Sequence, residues 1–117
     1  MSTPDVTAEW LDIGGADSIP LRGARTIVVD GAETIAVFRT GEGAVFALVD
    51  RCPHKGGPLS QGIVHGDAVA CPLHGWNIAL ATGRALGEDK GCTPRIATKL
   101  EGGRILIDCA PARLTPA

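Results

Sequence analysis

The chain is predicted to fold as an all-β domain, an antiparallel sandwich or small barrel. Three observations predict it: short β-branched runs recur along the sequence, 16 Gly and 8 Pro punctuate them, and no helical period of useful length appears. Hydrophobic residues make up 44% and charged ones 21%, a balance that suits a packed core rather than a disordered chain. At 117 residues that core fits one domain, expected over about residues 9–109 with a loose tail at each end.

The strands follow in order. "TIVVD" (26–30) and "TIAVFRT" (34–40) flank Asp30-Gly31, a hairpin signal despite the added Ala32 and Glu33. "AVFALVD" (44–50) follows the turn Gly41-Glu42-Gly43 and completes an antiparallel meander. "DAVAC" (67–71) and "WNIAL" (76–80) read as two further strands, with a closing turn at Thr82-Gly83. "RIATKL" (95–100) and "RILIDC" (104–109) are predicted to pair across Glu101-Gly102-Gly103.

Charge and composition exclude several functions. The net charge is −2 and no run of Lys or Arg appears, so the basic patch that nucleic acid requires is missing. No apolar stretch reaches the length of a membrane span. "MSTPDVTAEW" lacks the basic start and apolar segment of a signal peptide, so a cytoplasmic protein is expected. Cysteines there stay reduced, and the four present read as metal ligands and core residues. Only 3% of residues are aromatic, which leaves Val, Ile, Leu and Ala to build the core. A bound cofactor would add useful stability to such a chain.

Two hexapeptides carry the chemistry. "CPHKGG" (52–57) and "CPLHGW" (71–76) hold two of the four cysteines and two of the three histidines. The pattern is Cys-x-His, sixteen residues, then Cys-x-x-His, with both hexapeptides at expected strand ends. They are expected to project side by side from one end of the β core. Two thiolates and two imidazoles converging on one point make a soft-metal site. Zinc accepts that donor set, although its structural sites pair like ligands, cysteine with cysteine and histidine with histidine. One cysteine and one histidine per loop equally suits a two-iron cluster with unlike ligands on its two irons.

The stretch "CPHKGGPLSQG…CPLHGW" resembles the Rieske motif in ligand order, spacing and loop context. The resemblance implies a Rieske-type β-sandwich with two cluster-binding loops at one end. It implies a [2Fe–2S] cluster with Cys52 and Cys71 on a buried iron, and His54 and His74 on an outer one. Gly56, Gly57 and Gly75 would let backbone N–H groups approach the sulfides. Lys55, Pro58 and Trp76 would rim a docking patch, with Trp76 packed over the loop. Cys92 and Cys109 lack a partner spacing and are expected as buried thiols; His65, in "GIVHGD", is expected in a loop or turn.

The likeness extends over about residues 10–108. "WLDIGGADSIPLRGARTIVVDG", "FALVDRCPHKGGPLSQGIVHGD" and above all "TGRALGEDKGC" resemble the small subunit of assimilatory NAD(P)H-dependent nitrite reductase. That family implies a large partner subunit carrying flavin, siroheme and a further iron–sulfur cluster. High-potential Rieske proteins differ from this chain in two respects. They carry an extra cysteine in each loop, where this chain has Gly57 and Leu73. They also place Ser and Tyr hydroxyls near the cluster, at positions matching Trp76 and Ile78. Two other readings stand beside this one: the Rieske ferredoxin of an aromatic-ring dioxygenase, and a zinc-stabilised binding module without redox role. No GxGxxG opens a helix, so a nicotinamide site is not indicated and the chain is expected to be non-catalytic alone.

Overall fold

The computed structural model describes residues 10–28, 34–52, 57–72, 75–86, 91–93 and 95–108. Ten strands run through them: β1 (Trp10–Gly15), β2 (Gly23–Ile27), β3 (Ile35–Arg39), β4 (Val45–Val49), β5 (Ile63–His65), β6 (Ala68–Ala70), β7 (Asn77–Ala79), β8 (Arg95–Ile96), β9 (Thr98–Glu101) and β10 (Arg104–Asp108). Two short 3-10 turns, Ala16–Ser18 and Leu59–Gln61, are the sole helical segments among the described residues. The strands form three sheets, ordered β1-β10-β9, β2-β3-β4-β8 and β5-β6-β7, with every pairing antiparallel. The all-β class predicted from turn spacing is the fold observed.

The central sheet explains the unbroken apolar run "IAVF". Ile35 and Val37 of β3 join Val45, Ala47 and Val49 of β4 in one core cluster, together with Ile105 and Ile107 of β10. Ala36, Phe38 and Leu48 point the other way, into a second cluster with Val64, Val69 and Ile78 of the third sheet. Both faces of β3 and β4 are therefore covered, and alternation disappears from their sequence because neither face meets water. Phe38, fully buried, supplies the bulk that the scarce aromatics can offer. This second cluster also contains Cys52 and Cys71.

The predicted pairing of "RIATKL" with "RILIDC" holds only for its second half. Arg95–Ile96 pairs with β4, whereas Thr98–Glu101 pairs with β10, so one run serves two sheets. The chain changes sheets at Ala97, whose carbonyl accepts the Asp108 N–H at 3.0 Å. Thr98 Oγ1 donates to the Val45 carbonyl at 3.2 Å and ties the crossing to β4. The turn beyond β9 is the two-residue loop Gly102-Gly103 with φ of 59° and 80°, the left-handed pair that a tight hairpin takes. "TIVVD" begins pairing earlier than expected, at Gly23, and its proposed turn at Asp30-Gly31 lies outside the described residues.

Gly83 locks the turn after β7. Its N–H donates to the Ala79 carbonyl at 2.7 Å and its carbonyl accepts the Thr93 N–H at 2.8 Å. A Cβ there would stand 2.2 Å from the Thr93 carbonyl oxygen, and φ is +78°. Overpacking costs about 1–3 kcal/mol and a left-handed residue about 1–2 kcal/mol more. Gly83→Ala is therefore expected to destabilise the fold by roughly 2–5 kcal/mol in denaturant unfolding. Gly102→Ala, whose Cβ would meet no atom within 4 Å, should pay only the conformational part. Equal losses at both positions would contradict the packing of Gly83 against Thr93.

Candidate metal centre

Each hexapeptide begins where a strand stops. β4 ends at Val49 and the chain reaches Cys52; β6 ends at Ala70 and Cys71 follows at once. The Cys52 N–H donates to the Gly57 carbonyl at 2.8 Å, and the Cys71 N–H to the Trp76 carbonyl at 2.7 Å. The two loops are thus closed in the same way, each cysteine bonded to the carbonyl five residues on. Gly75 sits at φ +73° with open space around a would-be Cβ, so backbone conformation rather than crowding calls for glycine there.

The two cysteines are 2% and 3% exposed and both are free thiols. They share one apolar cluster with Leu59, Val69 and Ile78, and half-buried Trp76 packs against it as expected. Paired thiols at equivalent positions of two matching loops, walled by apolar side chains, fit a soft metal or cluster held from two sides. His54 and His74 lie outside the described residues, as do Lys55, Gly56, Leu73 and Cys109. Among the described residues no third His, Cys, Asp or Glu joins the two cysteines. Pro58 is exposed at the loop's end.

Side-chain braces support both loops. Asp50 accepts the Ser60 N–H at 2.7 Å on one carboxylate oxygen and the Ser60 hydroxyl at 2.7 Å on the other. This pair spans the first loop from before Cys52 to beyond Gly57. Beside the second loop, His65 Nε2 lies 2.7 Å from Asn77 Oδ1. Register explains that reach: Ala70 pairs with both Ile63 and Asn77, and Ala68 with both His65 and Ala79. The small alanines of β6 leave room for the imidazole to cross to β7. Nothing in the spacing of the sequence signals either brace.

Two expectations are corrected. His65 ends strand β5 rather than sitting in a loop or turn, because Ile63–His65 pairs with Ala68–Ala70. Cys92 is exposed rather than buried. Its neighbour Thr93 takes the inward position, 3% exposed, with its hydroxyl donating to the Val49 carbonyl at 3.1 Å. Cys92 instead faces outward in a bridge with Arg84. A shallow cavity of about 340 Å³, lined by Arg22, Thr40, Glu42 and Asp67 among others, lies at the β3–β4 and β5–β6 turns and includes no cysteine-loop residue.

Comparisons with known proteins give a consistent picture. The model of the Rieske [2Fe–2S] domain matches residues 9–98. The chain is 38% identical over 85 residues to the 3-phenylpropionate/cinnamic acid dioxygenase ferredoxin subunit of Escherichia coli, covering 67% of this chain and 74% of that one. It is 43% identical over 65 residues to the oxygenase component of chloroacetanilide N-alkylformylase from Rhizorhabdus wittichii. That match covers 54% of this chain and 18% of the oxygenase, so the chain spans under a fifth of its length. A solved structure described as an NADH-dependent nitrite reductase small subunit from Mycobacterium tuberculosis superposes with a TM-score of 0.78 at 24% identity. It covers 86% of this chain and 95% of that one, a likeness of fold.

Proposed function

The chain belongs to the Rieske [2Fe–2S] domain family, and from that premise we propose that it is the electron-transferring small subunit of an assimilatory NAD(P)H-dependent nitrite reductase. Its cofactor is a [2Fe–2S] cluster, which displaces the zinc reading of the same four residues. We assign Cys52 and Cys71 to one iron and His54 and His74 to the other. When bound, the cluster supplies a one-electron couple. The chain's own part is to bury the thiol side, hold both loops closed through the cysteine N–H groups, and leave a rim for a partner. Lys55, Pro58 and Trp76 form that rim in this proposal, and the partner is the large subunit bearing flavin, siroheme and a second iron–sulfur cluster.

The observation that supports this reading is the segment from Thr82 to Thr93. It contains "TGRALGEDKGC", the stretch most like nitrite reductase small subunits, and its described residues, 82–86 and 91–93, are built onto the sheet that carries the second loop. Ala85 bridges Ile78, Cys92 bridges Arg84, and the Leu86 N–H donates to the Asn77 carbonyl at 2.8 Å. An exposed free thiol at Cys92 suits the reducing cytoplasm proposed for the protein. The second reading, a dioxygenase ferredoxin, is favoured by the 38% identity to the Escherichia coli ferredoxin subunit. Presenting the reduced protein to both kinds of partner separates them. Oxidation by a nitrite reductase large subunit turning over nitrite is expected; oxidation by a ring-hydroxylating oxygenase alone would give the second reading.

The midpoint potential is expected in the lower part of the Rieske span of about −150 to +300 mV. Trp76 and Ile78 stand where high-potential relatives place hydroxyl donors, and neither offers one to a sulfide from such a position. Fewer hydrogen bonds leave the added electron less stabilised. A potentiometric titration giving a value above about +100 mV would contradict this.

A further inference from the structure

We propose that Asp50 is a positioning residue whose fixed negative charge lowers the reduction potential of the cluster. The inference rests on Cys52 being a ligand. The Arg51 N–H donates to the Val49 carbonyl at 2.7 Å, and among described non-glycine residues only Arg22 has a positive φ. Asp50 therefore sits at the centre of an inverse γ-turn that ends β4 and redirects the chain into the first loop. Its own N–H donates to the Thr34 carbonyl at 2.8 Å, which fixes its backbone to the base of β3. Its carboxylate is then held by both donors of Ser60, each at 2.7 Å, in charge-assisted bonds.

Asp50 lies two positions before Cys52, and two residues of extended chain span at most about 7 Å. A carboxylate so close, half-buried and immobilised at both oxygens, opposes the arrival of an electron more strongly than a freely solvated one. Fixing the charge is the work of Ser60; supplying it is the work of Asp50. The bland alternative is a brace that merely closes the loop. The two differ in what substitution does to the potential, because a brace has no preferred sign.

The test is redox titration of cluster-loaded variants, with iron content and the EPR spectrum of each recorded first. Asp50→Asn keeps the shape and removes the charge. The reduced-to-oxidised ratio at a fixed poise should rise about tenfold, equivalent to about +59 mV for a one-electron couple. Ser60→Ala keeps the charge but frees one carboxylate oxygen, and should shift the ratio the same way by a smaller factor. Unchanged potentials, a lowered potential in Asp50→Asn, or a Ser60→Ala shift of the opposite sign overturn the proposal. If Asp50→Asn does not load iron, Ser60→Ala decides alone, and loss of iron from both makes the pair a structural brace. A wild-type protein without iron or a mixed-ligand EPR signal would instead sink the ligand assignment itself.

Discussion

Cys71→Ser protein should emerge colourless, with its iron falling from two per chain to none. The side chain is 3% exposed and lies among Val64, Val69 and Ile78, so no external thiol can take its place. Serine is a poor replacement in two separate ways. Its hydroxyl does not ionise as a thiol does, so the soft-metal donor is lost. The hydroxyl is also stranded in an apolar cluster, where an unmet polar group costs about 1–3 kcal/mol. Ligation is part of folding free energy, so the loaded wild type should melt well above the variant. Comparing both proteins after iron removal isolates the packing part, which should be a difference of about 1–3 kcal/mol. Cys92→Ser is the control: an exposed thiol facing solvent should leave iron content unchanged and stability within about 0.5 kcal/mol. Full iron occupancy in Cys71→Ser would contradict the placement of this residue as a ligand.

Much of the scaffold was legible because local signals agreed with the tertiary fold. The meander through Val45–Val49 and the Gly102-Gly103 hairpin follow from β-branched runs and turn residues alone. Strand β1 was not legible. "WLDIGG" buries only Ile13 and is broken by a register shift between Asp12 and Gly14, where φ reaches +116°. No alternation survives in it, and its place is set by β10, whose paired residues lie 89 to 98 positions away in the chain. β5 fails for another reason: it is three residues long, and Ile63 is 72% exposed, so its apolar content does not report burial. "RIATKL" looks continuous because the bend at Ala97 leaves no mark in residue type.

The site divides along the same line. The spacing marked Cys52 and Cys71, and the fold buries both in one apolar cluster, each just beyond a strand end. The Asp50–Ser60 and His65–Asn77 contacts depend on how the loops and β6 settle, which no pairwise spacing encodes. Cys92 was read as a core thiol by its residue type, and the alternation with Thr93 turned it outward instead.

In the proposed function this chain relays electrons through its cluster to a catalytic partner. Reduction of nitrite to ammonium takes six electrons, and no GxGxxG nicotinamide fingerprint appears in the chain. In the proposed assignment catalysis resides in the partner, and the small subunit passes single electrons. Removing one imidazole tests this without touching the buried thiols. His74→Ala protein, prepared cluster-free and shown to retain its β fold, is mixed with the large subunit, and NAD(P)H-dependent nitrite reduction is measured against wild type. The rate is expected to drop to that of the large subunit alone and to return when cluster-loaded wild type is added. A full rate with the cluster-free variant would show that the chain serves the partner only as a structural accessory.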